Sequence, residues 1–428
     1  MKSLLRLVLV ALGLLWPTFA FAANCVTTAY ANGATGGSPW ASNGTTTWCT
    51  LSTPLAGGCT TGGAYCTLVA GNAIVFDANT TAGVYNLAAS ISISSLTSSG
   101  AAAGVYLTHA NAVVLTVNNT TSSTTFDISG ISYCNADPCT GAVAAPRAIS
   151  FTNTGGTVSI TTGASTTAPY NQFGTVTFNG SGGTFELLDN AIFQAAVTLT
   201  AGTLDATTNN TSPTLLSMTT SSGSQLNCGT GTWTLNASTS FWTVANATQV
   251  SCGSATITFN TATAGGNRSF NTTAGSASYG TLNIANTGAS GSNFFIFTNA
   301  ISTTQTFANM NFTNIASNLL VNFQANSIYA ITNAPSWSGS ANNEFLEFES
   351  TSLSGTSPTI TMPSALTATW MMFQNIKFAG SGAAGSGNVT ATSSYDLSGN
   401  NSCGSNCSSV SITAPSLTGG GGGHIIGG

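Results

Sequence analysis

Short segments in which apolar and hydroxyl residues alternate recur along this chain. Residues 157–160 read Thr-Val-Ser-Ile, residues 197–200 read Val-Thr-Leu-Thr, and residues 256–259 read Thr-Ile-Thr-Phe. A period of two places apolar side chains on one face of a strand and polar side chains on the other. Clusters of Gly, Asn and Ser break the segments every few residues. The pattern therefore predicts many short, half-buried strands joined by turns.

A structural unit of about 24 residues is indicated by the spacing of similar segments. Cys228 and Cys252 lie in matching contexts, Asn-Cys-Gly-Thr and Ser-Cys-Gly-Ser, and their sequence numbers differ by 24. Residues 183–187 (Gly-Thr-Phe-Glu-Leu) recur as residues 231–235 (Gly-Thr-Trp-Thr-Leu) at an offset of 48, which is twice 24. A unit of this length predicts one coil made of two or three short strands.

Stacking of such coils predicts an all-β fold, a right-handed parallel β-helix. A single coil cannot bury its apolar face, but stacked coils close the hydrogen-bond ladder and build a continuous core, and parallel crossovers are almost always right-handed. Outward positions should form rows of Thr, Ser and Asn, which stack without like-charge repulsion. Such rows require few charged residues. Charged residues make up only 4% of this chain, against about 25% in an ordinary domain.

Two other architectures remain open on the sequence alone. One is an array of β-sandwiches, which uses the same alternating strands. The other is a disordered Ser/Thr-rich stalk, although a hydrophobic fraction of 42% disfavours disorder.

The first 22 residues have the three parts of a secretory signal peptide. Lys2 and Arg6 supply a positively charged N-terminal region, residues 4–16 are a mainly apolar run, and residues 20–22 read Ala-Phe-Ala, which is a cleavage signal. A membrane anchor is the alternative, but the run is short for a bilayer. We expect a mature chain without a transmembrane segment, located in the extracellular medium or on the outer cell surface.

The charge balance argues against a nucleic-acid partner. The chain has 5 Lys and Arg against 10 Asp and Glu, which gives a formal net charge of −5 at pH 7. Nucleic-acid binding relies on clustered basic residues that neutralise phosphates. The sequence contains no such cluster.

The mature chain divides into three parts. Residues 23–66 are rich in Cys, Trp and Gly and are expected to form an N-terminal cap, with Trp40 and Trp48 over the first coil. Such a cap is needed because an open end of a β-helix is an unpaired sheet edge. Residues 67–417 carry the β-helix repeats, and residues 418–428 form a flexible Gly-rich tail.

All ten cysteines follow the signal peptide, which suits disulfide formation in an exported chain; they are Cys25, Cys49, Cys59, Cys66, Cys134, Cys139, Cys228, Cys252, Cys403 and Cys407. Equivalent residues on adjacent coils lie roughly 4.8 Å apart, and a disulfide tolerates Cα separations of about 4.4–6.8 Å. A spacing of one structural unit therefore predicts pairs between coils, and closer cysteines predict local pairs. The predicted pairs are Cys228–Cys252 and Cys25–Cys49 between coils, and Cys59–Cys66, Cys134–Cys139 and Cys403–Cys407 within loops.

A metal site is the alternative use of these cysteines. The chain has no CxxC pair, and its only histidines are His109 and His424. A zinc site also needs reduced thiols, which export disfavours. We therefore expect neither a metal nor a cofactor.

Several segments resemble coils of bacterial adhesin-like parallel β-helix proteins, such as the filamentous-haemagglutinin-like surface proteins. They are residues 71–79 (Gly-Asn-Ala-Ile-Val-Phe-Asp-Ala-Asn), 173–184 (Phe-Gly-Thr-Val-Thr-Phe-Asn-Gly-Ser-Gly-Gly-Thr) and 201–205 (Ala-Gly-Thr-Leu-Asp). Similar repeats occur in phage-borne structural proteins. Asn72 stands where Asp is common in those families. The resemblance covers most of the mature chain and implies an extracellular structural or adhesive role, without catalytic residues.

The densest acidic cluster is formed by Glu344, Glu347 and Glu349. In a strand, Glu347 and Glu349 point to the same face, roughly 6.6–7 Å apart along the chain. Such a pair could suit a glycosidase or a cation site. The simpler interpretation is a solvated face opposite Leu346 and Phe348.

The other ionisable residues predict no catalytic group. Asp189 and Asp205 stand in Asn- and Gly-rich contexts that are typical of turns. Arg147 and Arg268 are expected in turns or on the surface. His109 has no acidic neighbour in the sequence.

The sequence thus predicts a secreted or cell-surface structural protein that presents polar ladders to glycans or other cell-surface components without catalysis. Aromatic side chains such as Trp242 or Trp337 could stack on sugar rings if exposed, with burial as the alternative for each. The alternative function is a polysaccharide lyase or glycosidase on the same fold. Pectate-lyase-like enzymes have this fold, and they need clustered carboxylates and a base.

Overall fold

The structure is a computed structural model of the full chain, and part of the chain is described from it. The described residues are 23–25, 28–31, 48–49, 65–78, 80, 82–87, 89–98, 100–101, 104–109, 113–120, 122–133, 148–164, 171–237, 239–261, 267–286, 293–313, 315, 318–341, 344–352, 356–397 and 400–415. The predicted signal peptide, the predicted tail at 418–428 and most of the predicted cap lie outside these residues.

Strands dominate the described residues, which contain one 3-10 helix (Ala247–Gln249) and no α-helix. In chain order the strands are β1 (Ala23–Asn24), β2 (Thr28–Ala31), β3 (Trp48–Cys49), β4 (Tyr65–Thr67), β5 (Ala73–Val75), β6 (Gly83–Leu87), β7 (Ile91–Ile93), β8 (Ser95–Thr97), β9 (Val105–His109), β10 (Val114–Val117), β11 (Thr124–Asp127), β12 (Ser132–Tyr133), β13 (Ala148–Phe151), β14 (Thr157–Thr161), β15 (Val176–Leu187), β16 (Ala196–Asp205), β17 (Thr214–Leu215), β18 (Ser217–Asn227), β19 (Thr232–Leu235), β20 (Phe241–Val244), β21 (Val250–Thr261), β22 (Asn267–Thr272), β23 (Ala277–Asn286), β24 (Asn293–Phe297), β25 (Thr304–Thr313), β26 (Leu319–Phe323), β27 (Ile328–Ile331), β28 (Leu346–Ser350), β29 (Thr359–Met362), β30 (Leu366–Thr369), β31 (Met371–Gln374), β32 (Lys377–Gly380), β33 (Val389–Thr392), β34 (Tyr395–Asp396), β35 (Ser402–Cys403) and β36 (Val410–Thr413).

The strands stack in parallel columns, so the predicted all-β solenoid is confirmed. The first column runs through β7, β10, β13, the first halves of β15, β16 and β18, and then β20, β22, β24, β26, β28, β31 and β34. The second column includes β8, β11, β14, the second halves of β15, β16 and β18, and the start of β21. A third column includes β17, β19 and the second halves of β21, β23 and β25.

Coil length varies more than a uniform repeat unit predicts. The sequence numbers of stacked positions differ by 24 between Ile91 and Leu115, but by 34 between Leu115 and Ile149. They differ by 21 between Val176 and Val197. The strands keep their register while the turns between them change in length, because the hydrogen-bond ladder constrains only the strands.

The interpretation of residues 183–187 and 231–235 as equivalent positions two coils apart is wrong. Phe185 stacks on Leu204, and Leu204 stacks on Leu226, within the second column. Trp233 instead stacks on Ile257 in the third column. Both segments alternate in the same way, so a chain of such low complexity produces matches between positions that are not equivalent.

Inward residues of successive coils form continuous apolar rows. One row of buried side chains in the first column comprises Ile149, Val176, Val197, Met218, Trp242 and Phe270. Further along, the rings of Phe297 and Phe323 stack with centroids 5.1 Å apart. Burying each large apolar side chain contributes roughly 1.5–3 kcal/mol, so the rows supply the stabilisation that no single coil has.

Glycine allows the longest strands to bend from the first column into the second. Gly202 has a φ of +86°, and a Cβ built there would lie 2.4 Å from the carbonyl oxygen of Gly180 and 2.7 Å from that of Gly183. The register of β15 against β16 shifts in the same region. Close coil contact at this corner therefore requires a residue without a side chain and with access to positive φ.

Strand pairing changes direction at the N-terminal end. Strand β3 pairs antiparallel with β2 and with β4, whereas β2 pairs in parallel with β5. An antiparallel strand next to the first coil occupies the place that the sequence assigned to a cap. Trp40 lies outside the described residues, as does the side chain of Trp48.

Two predicted disulfides are confirmed by the structure. Cys228 and Cys252 are bonded with a Cα separation of 4.9 Å, and the neighbouring pairs Leu226–Val250 and Asn227–Ser251 place them at equivalent positions of adjacent coils. Cys403 and Cys407 form the local pair. Cys25 is disulfide-bonded. The side chains of Cys49, Cys59, Cys66, Cys134 and Cys139 lie outside the described part of the chain, so the pairs Cys25–Cys49, Cys59–Cys66 and Cys134–Cys139 stay predictions.

Removing the disulfide between coils should destabilise the protein more than removing the local one. Cys228→Ala/Cys252→Ala removes a bond between residues 24 positions apart. The lost constraint on the unfolded chain predicts that the free energy of unfolding falls by about 3 kcal/mol. Cys403→Ala/Cys407→Ala frees a separation of 4 residues, with an expected cost of about 2 kcal/mol. Guanidinium chloride unfolding under oxidising conditions measures both. An equal or smaller loss at Cys228–Cys252 would contradict the assignment of that bond as the link between coils.

Candidate functional site

A continuous row of hydroxyl side chains runs along the outward face of the first column. Each member pairs in register with the next one, and all are half-buried. The row, called here the hydroxyl column, comprises Ser92, Thr116, Ser150, Thr177, Thr198, Thr219 and Thr243, followed by the amide of Asn271. At the strand spacing of about 4.8 Å, these eight positions extend over roughly 34 Å.

The alternating pattern of the strands creates this column. Thr177 lies between the buried residues Val176 and Phe178, and Thr198 lies between the buried residues Val197 and Leu199. Because Thr is β-branched, it suits an extended strand while placing a hydroxyl and a methyl group on the surface. The column therefore combines hydrogen-bonding groups with apolar contact area at a regular repeat.

On the third column, outward amides bond to one another between coils. Asn283 donates to the hydroxyl of Thr258 at 3.4 Å, and Asn311 donates to Oδ1 of Asn283 at 2.9 Å. A parallel series joins Asn333 to Asn309 at 3.0 Å and Asn309 to the hydroxyl of Thr281 at 3.0 Å. These side chains use their hydrogen-bonding groups on one another. This face therefore holds the coils together and has fewer groups left to bind a ligand.

A cleft of about 320 Å³ lies over the second column near its C-terminal end. It is lined by Ser302, Asn326, Ser327, Ile328, Thr356, Ser357, Thr359 and Lys377. Ile328 is 40% exposed, and it stacks with Thr359 and Lys377 in register. Asn326 donates its amide to the hydroxyl of Ser302 at 2.9 Å. The cleft thus offers one cation, neutral polar groups and a small apolar surface.

The structure places Glu347 and Glu349 on one outward face of β28, as the sequence predicted. Glu347 is stacked between Leu320 and Met372. Glu344 precedes the strand, and its carbonyl accepts a hydrogen bond from the amide of Ser340. The three side chains therefore do not share one strand face.

The surroundings raise the pKa values of both strand carboxyls. Partial burial raises the pKa of Glu347, and the nearby charge of Glu349 raises it further. Partial burial also raises the pKa of Glu349. The physical cause is visible in the stacking, because the apolar Leu320 and Met372 flank Glu347 and displace water from its carboxylate.

The turn assignment of Asp189 is confirmed, whereas Asp205 is the last residue of β16 and its carboxylate binds the backbone of the turn that follows. Asp189 accepts hydrogen bonds from the amides of Thr162 and Gly163 at 2.8 and 2.6 Å, on the preceding coil. Asp205 accepts one from the amide of Thr207 at 2.8 Å. In both cases the carboxylate accepts hydrogen bonds from backbone amides of a turn, so its role is structural.

One expectation for a basic residue is corrected, and two open assignments of aromatic residues are decided in favour of burial. The sequence places Arg268 in a turn or on the surface, but it lies inside the solenoid and is only 1% exposed. The sequence also allows Trp242 and Trp337 as sugar-stacking groups, but both are buried, and Trp337 donates its indole N–H to the carbonyl of Met310. Alternating burial explains Trp242 and Arg268, which occupy inward positions of β20 and β22, whereas Trp337 lies in the irregular segment between β27 and β28.

His109 ends β9, and Arg147 and His424 lie outside the described residues. Within the described part of the chain, no group of three or more His, Cys, Asp or Glu side chains could hold a metal ion. No helix of that part has the length and apolar character needed to span a bilayer.

Comparisons with protein-family models, with curated proteins and with solved structures return no match for this chain.

The sequence predicted rows of outward polar residues but not where they run. The hydroxyl column depends on register across turns of different length, which spacing alone does not give. The cleft at Lys377 also joins residues that are far apart in the sequence and meet only because successive coils stack in register, so no local motif signals it.

Replacing Glu347 by Gln should stabilise the protein at neutral pH. Because the folded state raises the pKa of Glu347 above its ordinary value of 4.5, the folded protein holds the proton more tightly than the unfolded chain. Stability is therefore lost as pH rises from about 4.5 through the raised pKa. We expect a higher Tm for Glu347→Gln at pH 7 and no difference at pH 3.5, measured by circular dichroism. A gain that persists at pH 3.5 would contradict this explanation.

Proposed function

We propose that this chain is an exported structural protein of the cell surface whose solenoid contacts glycans through the hydroxyl column. The uninterrupted register of that column carries the proposal. Regularly spaced hydroxyls with adjacent methyl groups match the hydroxyls and C–H faces of a linear polysaccharide. The predicted signal peptide and the disulfide bonds support export.

The near absence of charge further supports contact with neutral sugars. Neutral hydrogen bonds and apolar contacts give a weak interaction at each coil. Because the same contacts repeat along the rod, a long polysaccharide would bind by avidity. The rigidity of the coils reduces the ordering cost of binding. Such binding would change little with salt, since it does not depend on ion pairs.

Replacing the central hydroxyls of the column tests this proposal. The variant Thr177→Val/Thr198→Val/Thr219→Val keeps β-branched side chains but removes three hydroxyls. We expect at least a tenfold weaker binding to immobilised neutral polysaccharides, with Tm unchanged within a few degrees. The matched control is Thr157→Val/Thr184→Val/Thr203→Val, three stacked and half-buried threonines of the second column. Equal loss in both variants, or no polysaccharide binding by the unaltered mature protein, would contradict the proposal.

A second candidate function is cleavage of a polysaccharide, favoured by the raised pKa values of Glu347 and Glu349. A raised pKa is the direction in which the carboxyl of a general acid is tuned. If the mature protein releases reducing ends from any polysaccharide, Glu347→Gln and Glu349→Gln should each lower the rate at least 100-fold. Glu344→Gln is the matched control from the same cluster and should retain activity. Unchanged rates in the first two variants would exclude this pair.

A further inference from the structure

Arg268 is a buried cation in a part of the chain that has no other charged residue. Between Asp205 and Glu344 the sequence contains no Asp, Glu or Lys, and Arg268 is its only Arg. Arg268 lies on β22, where the inward residues Arg268, Phe270 and Thr272 are all buried. The coils directly next to it therefore supply no carboxylate to balance its charge.

The hydrogen bonds of this side chain account for only part of its guanidinium. Nη1 donates to the carbonyl oxygen of Ala285 at 3.4 Å. Nε and Nη2 are buried and have no hydrogen-bond partner among the described residues. Burial lowers the pKa of Arg268 to about 10, so the group still carries its charge at neutral pH. A buried charge of this kind is strongly unfavourable unless something compensates it.

A second unpartnered polar group lies beside it. The amide of Ser269 donates to the carbonyl of Ser240 at 3.1 Å, which places Ser240 next to Arg268 on the preceding coil. Ser240 is 1% exposed, and its hydroxyl has no hydrogen-bond partner in the part of the chain that the structure describes. On the following coil, Arg268 pairs in register with Phe295, which offers no polar group.

The unused donors have the arrangement that an oxyanion needs. Nε–H and one Nη2–H lie on the same edge of a guanidinium and point in parallel, so they match two oxygens of one anion. The hydroxyl of Ser240, at the position aligned with Arg268 on the adjacent coil, is available as a third donor. We propose that Arg268 and Ser240 form an internal binding site for a small oxyanion, which supplies the counter-charge that the chain lacks.

Such an anion would link two coils and stabilise the folded chain by binding only to it. The site is enclosed, since both residues are almost fully buried. Enclosure selects for a small ion, such as sulfate, phosphate or a short carboxylate, and excludes a glycan chain. The inference is therefore independent of the proposed surface function.

Thermal unfolding in different anions tests the site. The Tm of the mature protein is measured in sulfate, phosphate and acetate, each against chloride at the same ionic strength. We expect the oxyanions to raise the Tm of the unaltered protein more than they raise the Tm of Arg268→Met. The variant lacks the proposed site, so any rise in its Tm measures the general effect of salt. Ser240→Ala should need at least tenfold more oxyanion to reach the same rise in Tm as the unaltered protein. Lys377→Met, which removes an exposed cation, should behave as the unaltered protein. Equal rises in Arg268→Met and the unaltered protein would overturn the proposal.

A crystallographic measurement decides the question even if Arg268→Met does not fold. Crystals of the unaltered mature protein are grown with selenate as the only oxyanion, and data are collected at the selenium edge. The proposal predicts an anomalous peak within hydrogen-bond distance of Nε and Nη2 of Arg268 and of the Ser240 hydroxyl. An ordered water at that position without an anomalous peak would overturn it.

Discussion

The parallel hydrogen-bond ladder between coils is the interaction on which the rest of this structure depends. It fixes strands from successive coils in register, so each residue lies directly above an equivalent residue of the coil before it. Every side chain then meets a neighbour at the strand spacing, whether it points inward or outward. The inward rows become a continuous core of Val, Met, Phe and Trp, and the outward rows become columns of polar groups.

The same ladder explains the low charge of the chain. A charged residue on one coil faces whatever occupies that position on the next, and two like charges stacked this way repel. Glu186 and Asp205 are one stacked acidic pair, and hydrogen bonds accompany both: Thr208 donates to Glu186, and the amide of Thr207 donates to Asp205. Arg268 is the opposite case, a single charge placed inside the stack. Serine, threonine and asparagine avoid this problem, because their side chains can face copies of themselves.

The sequence predicted the class of fold but not its geometry in detail. Alternation of apolar and hydroxyl residues predicted half-buried strands, and the spacing of similar segments favoured parallel stacking over a β-sandwich array. The matching contexts of Cys228 and Cys252, 24 residues apart, predicted their bond. Coil length was not predictable, because turns vary freely as long as the strands keep their register. The position of Arg268 was missed because a charged residue is expected to face water, although the alternation of its strand gives it the same inward orientation as Phe270. The cleft at Lys377 could not be predicted, because its residues are far apart in the sequence and meet only through the register of successive coils.

The proposed function follows from a surface that repeats along a rigid rod and carries almost no charge. Immunogold electron microscopy of intact producing cells, with antibody to the mature protein, tests most directly whether that surface is displayed to the outside. Label on the cell envelope or on extracellular fibres is the predicted result. Unlabelled cells with the protein free in the medium would contradict the account of a cell-surface structural protein.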